Sequence, residues 1–523
     1  MHHYRAVLVS AVHPRDALDE LRAPRTDVVI ERAAGGDHFV SARGPFKQYE
    51  RRLEVGDDSV TETTQFRLSI PFWWFLFVGP YRAAFRRPVD RRAHRPWWAP
   101  PDPLDARAAS VLGLLCLLSL VDGYVGTLLT QTVTYVAAEF GASRGDQGTV
   151  LAIVRAGALI ALAAGVLADR HGRRWPMIAC GAAACVFASL GALAPNLAVL
   201  TATQLAAIGA GSALGVLIAV VSAEEVPRGS RAYAFSLIVM SAALGAGMCV
   251  WVLPLADTGT RGWRWIYVIA LLGLALVAIV GRHLPESRRF ERLPATEPSP
   301  QTRTAGHQRR LWLLASAGFL VAVFAAPAFQ FQNDFLREDR GFSAARITLF
   351  TLLTSTPAAI GIVAGGRLAD VRGRRIVGAI GLAGGTIATV LMFAVAGWPM
   401  WAWSVIGGIV GGLTVPALGV YRPELFPTRL RGKAAGLLEL IGVCGSAAGL
   451  IFVGHVADRW GSFAGPIAIT GIAALAVAVL VLVAFPETAQ RSLEELNPED
   501  AVDGPDDGDG DDDSVSAASP ASP

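Results

Sequence analysis

The sequence predicts an all-α membrane protein: twelve transmembrane helices as two six-helix bundles, with a small N-terminal cytoplasmic α+β extension. Three observations predict it. Of 523 residues, 53% are hydrophobic and only 17% charged, and mean hydropathy is +0.43, whereas soluble domains carry about 25% charged residues. Apolar stretches recur from residue 107 to residue 485, each near the roughly 20 residues a helix needs to cross about 30 Å of hydrocarbon. The third observation is an internal repeat with a period near 200 residues.

Residues 1–100 read as a small cytoplasmic module. His38–Ala42, Gln48–Val55 and Val60–Ile70 alternate like strands, with Val55–Ser59 as a turn, and Ala17–Leu21 suits a short helix. The only early apolar run, Ala6–Val12, is too short for a signal peptide. The pattern GPFKQYERRLEV…TETTQFRLSIP is similar to the lipid- and polyketide-binding helix-grip family, without the length for a complete cavity. Next, Ile70–Tyr81 (IPFWWFLFVGPY) is too short to span. Its aromatics, flanked by Arg82, Arg86 and Arg87, suit the membrane interface, with a re-entrant or docking segment as the alternative.

The twelve spans fall at about 110–132, 147–168, 175–194, 197–222, 232–254, 263–283, 311–334, 346–368, 375–396, 400–421, 433–456 and 464–485. Most loops are short, and the longer 284–310 loop divides six from six: 107–283 and 311–485. Arginine sets orientation. It clusters before span 1 (Arg86, Arg87, Arg91, Arg92, Arg95), after span 2 (Arg170, Arg173, Arg174), in the central loop (Arg288, Arg289, Arg292, Arg309, Arg310) and after span 8 (Arg372, Arg374, Arg375). All these segments lie on one side, so both termini are expected in the cytoplasm and the protein in the plasma membrane. Residues 486–523 form an acidic tail, with Asp506–Asp513 nearly continuous in charge, and read as disordered.

Composition also excludes. A net charge of +3 argues against nucleic acid as a partner. Cys116, Cys180, Cys185, Cys249 and Cys444 all sit in apolar segments without metal-ligand spacing, so they read as packing thiols. No nucleotide-phosphate loop or nucleophile elbow occurs, and Gly35-Gly36 reads as a turn. Neither an enzyme, a metal nor a cofactor is expected.

The repeat is specific. Gly165-Val-Leu-Ala-Asp169-Arg-His-Gly172-Arg173-Arg174 returns as Gly366-Arg-Leu-Ala-Asp370-Val-Arg-Gly373-Arg374-Arg375, an offset of 201. Glu224-Glu-Val-Pro227…Arg231 returns as Glu424-Leu-Phe-Pro427…Arg431, and Leu284-Pro-Glu286 as Phe485-Pro-Glu487. Duplicated bundles with a midplane site between them mark secondary transporters.

These motifs resemble the major facilitator superfamily over about residues 107–496. GVLADRHGRR and GGRLADVRGRR are similar to its signature loops, and PESRRF and FPETAQRSLEEL to its sugar-porter and metabolite-symporter branches. Gln204 stands where that branch has arginine, and the sugar porters' span-7 glutamine pair and span-10 Pro-Trp are missing, which points away from a sugar. The resemblance implies that Asp169 and Asp370 face the helix starts near Arg431 and Arg231 and latch the halves together on the cytoplasmic side. Glu224, Glu424, Glu286 and Glu487 with Arg231 and Arg431 would complete the charge network. Gly165, Gly172, Gly366 and Gly373 would permit close approach and tight turns. The competing reading is that these charges serve topology and folding alone.

Ionisable residues inside the hydrocarbon are costly and point to function. Asp122 lies near the middle of span 1 and Arg155 near that of span 2, at depths agreeing within roughly 3 Å by helical rise. An ion pair between them is therefore expected to be possible, with Asp122 as the proton-coupling site; an acidic residue in such a sequence (Asp122-Gly123-Tyr124) resembles the proton-linked symporters of the superfamily. A permanent structural pair is the alternative. Arg155 free of Asp122 would favour an anionic substrate, and unpaired Asp122 a cationic one. Glu439 in span 11 either titrates or pairs with Lys433 or a neighbouring arginine. His455 and Asp458 read as interface residues.

In this family spans 1, 4, 7 and 10 line the cavity. They offer Tyr124, Thr127, Gln131, Gln204, Gln330, Gln332, Asn333, Asp334, Trp401 and Trp403 as substrate contacts, with Gln330–Asp334 a possible outer gate. The functional expectation is a secondary transporter moving a small organic solute by alternating access, as proton-coupled uptake. Proton-linked efflux of drugs or metabolites is the alternative within that class, and a transporter-like sensor the alternative from another. Expected partners are the solute, protons and the lipid bilayer, and one chain suffices for transport as a monomer.

Overall fold

The structure, a computed structural model, describes residues 6–87, 95–142, 150, 153–291, 305–342, 344–428 and 430–498. The acidic tail from 499 onward, residues 292–304 of the central loop, and Arg91 and Arg92 lie outside the described residues.

Eleven helices among the described residues are long and apolar enough to cross a membrane. The twelfth expected span, 147–168, falls partly outside the described residues, and the helix there is Ala158–His171. Helix limits follow local chemistry. Span 1 runs Ala106–Phe140: the Asp105 carboxylate accepts from the Ala108 amide at 2.6 Å, and Gly141 ends it in the left-handed region at φ 64°. Asn196 likewise caps span 4, Leu197–Glu225. Such caps satisfy orphan amides and contribute about 1 kcal/mol each. Spans 6, 8 and 10 are interrupted rather than continuous: Trp263–Ile269 with Leu271–His283, Ala344–Ser355 with Ala358–Arg372, and Trp398–Gly412 with Thr414–Gly419 and Tyr421–Glu424.

The large apolar side chains pack within each half. Leu114, Leu118, Leu214 and Leu217 belong to one core that draws on spans 1–6, and Phe350, Phe393, Met400 and Tyr421 to another that draws on spans 7–12. The halves meet through small residues instead. Ala161, Ala164 and Ala213 pack with Ala435, and Ala232 packs with Ala369 and Ala417. Small side chains let helix backbones approach closely in a medium with no hydrophobic drive between helices.

The N-terminal extension is a five-stranded antiparallel sheet ordered β1-β5-β4-β3-β2: β1 Val7–Pro14, β2 Ile30–Gly35, β3 His38–Arg43, β4 Phe46–Val55 and β5 Ser59–Leu68. Three strands are those expected from alternation. The other two are the edges. β1 leaves Leu8 and Val12 exposed, and β2 (IERAAG) has no apolar alternation, so neither carries the period-2 signal. Between β5 and the bundle, α2 (Trp74–Phe85) lays Tyr81 and Phe85 against Phe46, Tyr49 and Phe66. Its leading end is not merely interfacial. Trp73 Nε1 donates to the Gly113 carbonyl at 3.1 Å, seven residues or about 10 Å along span 1.

Candidate functional site

The signature loops and their partners form one end of the bundle, and each half supplies the same parts. Asp169 accepts from the amides of Gly432 (3.0 Å) and Lys433 (2.8 Å) at the start of span 11, Arg431–Trp460. Asp370 accepts from the amides of Ala232 (3.2 Å) and Tyr233 (2.9 Å) at the start of span 5, Arg231–Trp251. A carboxylate on unpaired amides at a helix start is held by hydrogen bonds and by the helix dipole together. Close contact demands glycine here: a Cβ on Gly165 would lie 2.2 Å from the Gly432 carbonyl oxygen, and one on Gly366 would lie 2.8 Å from that of Ala232.

Behind each aspartate lies a buried charge relay that crosses between halves. Glu224 accepts from Arg431 of the second half at 2.7 Å and from Arg173 of its own at 3.4 Å. Glu424 accepts from Arg231 of the first half at 3.2 Å and pairs with Arg374 of its own. The expectation for Glu286 and Glu487 changes. Among the described residues both are seen to act within their own halves. Glu286 caps span 3 through the Arg173 and Arg174 amides, and Glu487 caps span 9 through those of Arg374 and Arg375. Gly172 and Gly373 (φ 97° and 100°) turn the chain into those caps, where a Cβ would meet the glutamate at 2.5 and 2.9 Å. Arg174 and Arg375 reach the Gly281 and Leu482 carbonyls, within one half each.

A cavity of about 990 Å³ opens between the halves. Its lining includes Asp122, Arg155, Gln330, Arg422 and Glu439. Cross-half hydrogen bonds between spans gather at the signature-loop end, and another lies away from it: Arg155 Nη2 donates to Gln330 Oε1 at 3.5 Å. Asp122 and Arg155 do not pair. Similar depth fixes the level of two residues but not the face each presents, and Arg155 reaches across to span 7 instead. Among the described residues neither has an ion-pair partner. The Asp122 carboxylate rests over span 4, where a Cβ on Gly211 would lie 2.7 Å from Oδ1. Glu439 is paired, with Arg422 rather than Lys433, at 2.6 Å.

Thr127 and Gln330 also line the cavity, but most of the expected substrate contacts face elsewhere. Tyr124 is buried and its hydroxyl donates to the Ile266 carbonyl at 2.8 Å, inside the first half. Gln204 is fully buried and turns its amide to the Ala188 carbonyl at 3.4 Å. Trp401 and Trp403 pack on the second half's core, Trp401 against Phe350. Gln131 and Gln332 are half-buried away from the cavity lining, and the side chain of Asn333 lies outside the described residues. His455 is exposed and bonds within its own helix, and Asp458 is exposed.

Two features escaped the sequence reading. Arg422 is one. The other is a strap, residues 95–102, over the contact between spans 5 and 8. Arg367 of the second half donates to the carbonyls of Arg95 (2.9 Å), Pro96 (2.7 Å) and Ala99 (2.5 Å). From the first half, Tyr233 donates to the Trp98 carbonyl at 2.7 Å and Ser230 to that of Asp102 at 2.8 Å. The visible signal was Arg367 itself, a charge where the first repeat has Val166.

The profile of the Major Facilitator Superfamily matches residues 115–343 and 329–503. A cis,cis-muconate transport protein of Acinetobacter baylyi is 25% identical over 365 residues, covering 65% of this chain and 86% of that protein. A 3-(3-hydroxy-phenyl)propionate transporter of Escherichia coli is 25% identical, covering 68% and 89%. The solved structure of the proton:xylose symporter XylE, bound to 6-bromo-6-deoxy-D-glucose, superposes with a TM-score of 0.64 at 17% identity, covering 75% of this chain and 99% of that one.

Proposed function

The chain belongs to the Major Facilitator Superfamily, and from that premise we propose that it carries a small organic carboxylate across the plasma membrane by alternating access, coupled to protons. The carrying observation is the cavity's pair of separated charges. Asp122 and Arg155 line it without partnering each other or any other described charge. An intramembrane charge is costly unless it is used. Arg155 offers a guanidinium to an anion and, among the described residues, is held by the Gln330 amide. A carboxylate meets such a fork through charge-assisted hydrogen bonds. Two relatives that transport muconate and a phenylpropionate support this substrate class.

The steps follow from these groups. The signature-loop end is cytoplasmic, by its arginines, and it is closed here by the contacts between the halves. A proton taken by Asp122 neutralises it and the substrate anion neutralises Arg155, so that the loaded cavity carries no net charge from these groups. Reorientation then requires Asp169 and Asp370 to leave their helix starts and Glu224 and Glu424 to release the arginines of the opposite half. Pairs of this kind break as units, which makes the closed end two-state.

The test is transport by the purified chain in proteoliposomes holding an internal pH dye. Aromatic and unsaturated carboxylates, sugars, amines and drugs are supplied in pools, with Asp122→Asn alongside. A carboxylate-dependent acidification lost in the variant is expected. Acidification driven by sugars or amines alone would overturn the substrate class. Solute equilibration without proton movement would overturn coupling, and absence of flux with every pool would favour a sensor.

A further inference from the structure

Outside the central cavity, a second crevice lies between α2 and the outer faces of spans 1 and 5, with a volume of about 280 Å³. From span 1 and its approach it is lined from Leu104 to Cys116, and from span 5 by Tyr233 to Leu244. At 1.5 Å per residue these stretches run about 16–18 Å, close to the depth of one leaflet's hydrocarbon, roughly half of 30 Å. A volume of that size spread over that length is one hydrocarbon chain wide. The walls are almost wholly apolar.

α2 supplies the third wall and also the charge. Its first half turns Trp73, Leu76 and Phe77 into the crevice, and Phe72, Phe75 and Leu76 are about half exposed beside it. Its last turn and the residues after it bear Arg82, Arg86 and Arg87, all exposed. Tyr81 stands between these two regions. It lines the crevice, is 3% exposed, and its hydroxyl makes no hydrogen bond among the described residues. A tyrosine joins an apolar ring to a polar tip, which suits the boundary between an acyl chain and a headgroup.

We propose that this crevice binds one acyl chain of an anionic glycerophospholipid. The chain lies along spans 1 and 5, an oxygen of the glycerol-ester region accepts from Tyr81, and the phosphate sits among Arg82, Arg86 and Arg87. The length, the apolar walls, the tyrosine hydroxyl and the arginines each match a different part of that molecule. The site touches the strap: the ring of Trp98 lines the crevice, and its carbonyl is the one Tyr233 holds. The neighbouring carbonyls are held by Arg367 of the second half. A chain in the crevice therefore backs the strap against the closed end.

Native mass spectrometry of the delipidated full chain, titrated with phosphatidylglycerol or phosphatidylcholine, tests this. One phosphatidylglycerol is expected to be retained on the order of tenfold better than phosphatidylcholine, the preference that surface arginines confer on an anionic headgroup. Met240→Trp fills the crevice and should bring retention of both to background. The double variant Arg82→Gln, Arg86→Gln should abolish the preference and leave chain binding. Equal retention of both lipids by the parent chain, or no effect of Met240→Trp, would mean annular lipid only and overturn the site. Should Met240→Trp not fold, chain-brominated phosphatidylglycerol in nanodiscs decides. Its quenching of tryptophan emission must fall when Trp73→Phe and Trp98→Phe are combined, and unchanged quenching rejects the proposal. None of these readouts requires transport.

Discussion

At the signature-loop end the charges are matched, whereas in the middle of the bundle two are left over. Glu224 and Glu424 are fully enclosed, each with one arginine from its own half and one from the other. Asp122 and Arg155 face a cavity and not each other. Both regions place ionisable groups in apolar surroundings, so both incur desolvation. The matched set recovers it internally and gives a closed end with a definite geometry. The unmatched set recovers it only from something that enters. On the proposed function, the contrast separates groups that hold the protein's shape from groups that meet its cargo.

The contrast breaks most completely at Asp122. Asp122→Asn keeps the shape of the side chain over Gly211 and removes its proton. Accumulation driven by a pH gradient should vanish, while exchange of labelled substrate between equal pools persists. Loss of both in a folded variant would make Asp122 a structural charge. Next comes the matched set. Glu424→Gln removes the anion that Arg231 and Arg374 share and leaves Arg374 with Asp370. Removing one partner of a buried pair costs about 3–5 kcal/mol, visible as a large fall in thermal midpoint in detergent. An unchanged midpoint would show that the enclosed charges do not hold that end.

How much of this was legible in the sequence follows the same division. The closed end was legible because its residues occur twice, flank apolar runs and use glycine where the backbone needs it. Asp169 and Asp370 point at the helix starts that the family resemblance implied. What periodicity does not carry is azimuth. Tyr124 and Thr127 are three residues apart on span 1, yet only Thr127 lines the cavity, because the Tyr124 hydroxyl finds the Ile266 carbonyl. Gln204 is polar and in an expected lining helix, and its partner is a carbonyl of span 3. A polar residue in a span must be satisfied, and the sequence does not say whether by a neighbouring helix or by cargo. The edge strands of the N-terminal sheet were illegible for a related reason: β1 and β2 bury too few side chains to leave an alternation to read.

Arg155 sharpens the comparison at a smaller scale. Arg155→Gln keeps a donor towards Gln330 and removes the charge. If the guanidinium holds a carboxylate, apparent affinity should fall roughly tenfold to a hundredfold, the worth of about 1.5–3 kcal/mol for a hydrogen bond to a charged group. The maximal rate should change less. Binding of a neutral analogue of the same shape should be indifferent to the change. Equal loss for acid and neutral analogue, measured by calorimetry, would assign Arg155 to cavity shape.

The smallest effect tests whether matching matters once solvent is admitted. Glu494, after span 12, pairs with Arg289 from the segment after span 6, with a second contact at 3.1 Å. Here the carboxylate is 42% exposed. Burial alone would raise its carboxyl, and Arg289 outweighs that and holds it below the ordinary 4.5. A depressed folded value means that the folded state binds its proton less readily than the unfolded one. The pair's contribution is therefore complete above pH 4.5 and lost as pH falls through the depressed value. Screening by water limits it to a few tenths of a kcal/mol. Glu494→Gln should lower the thermal midpoint slightly at pH 7 and not at all well below pH 4. The same small deficit at both values would assign Glu494 to packing. A deficit as large as that of Glu424→Gln would show that enclosure is not what distinguishes the matched charges.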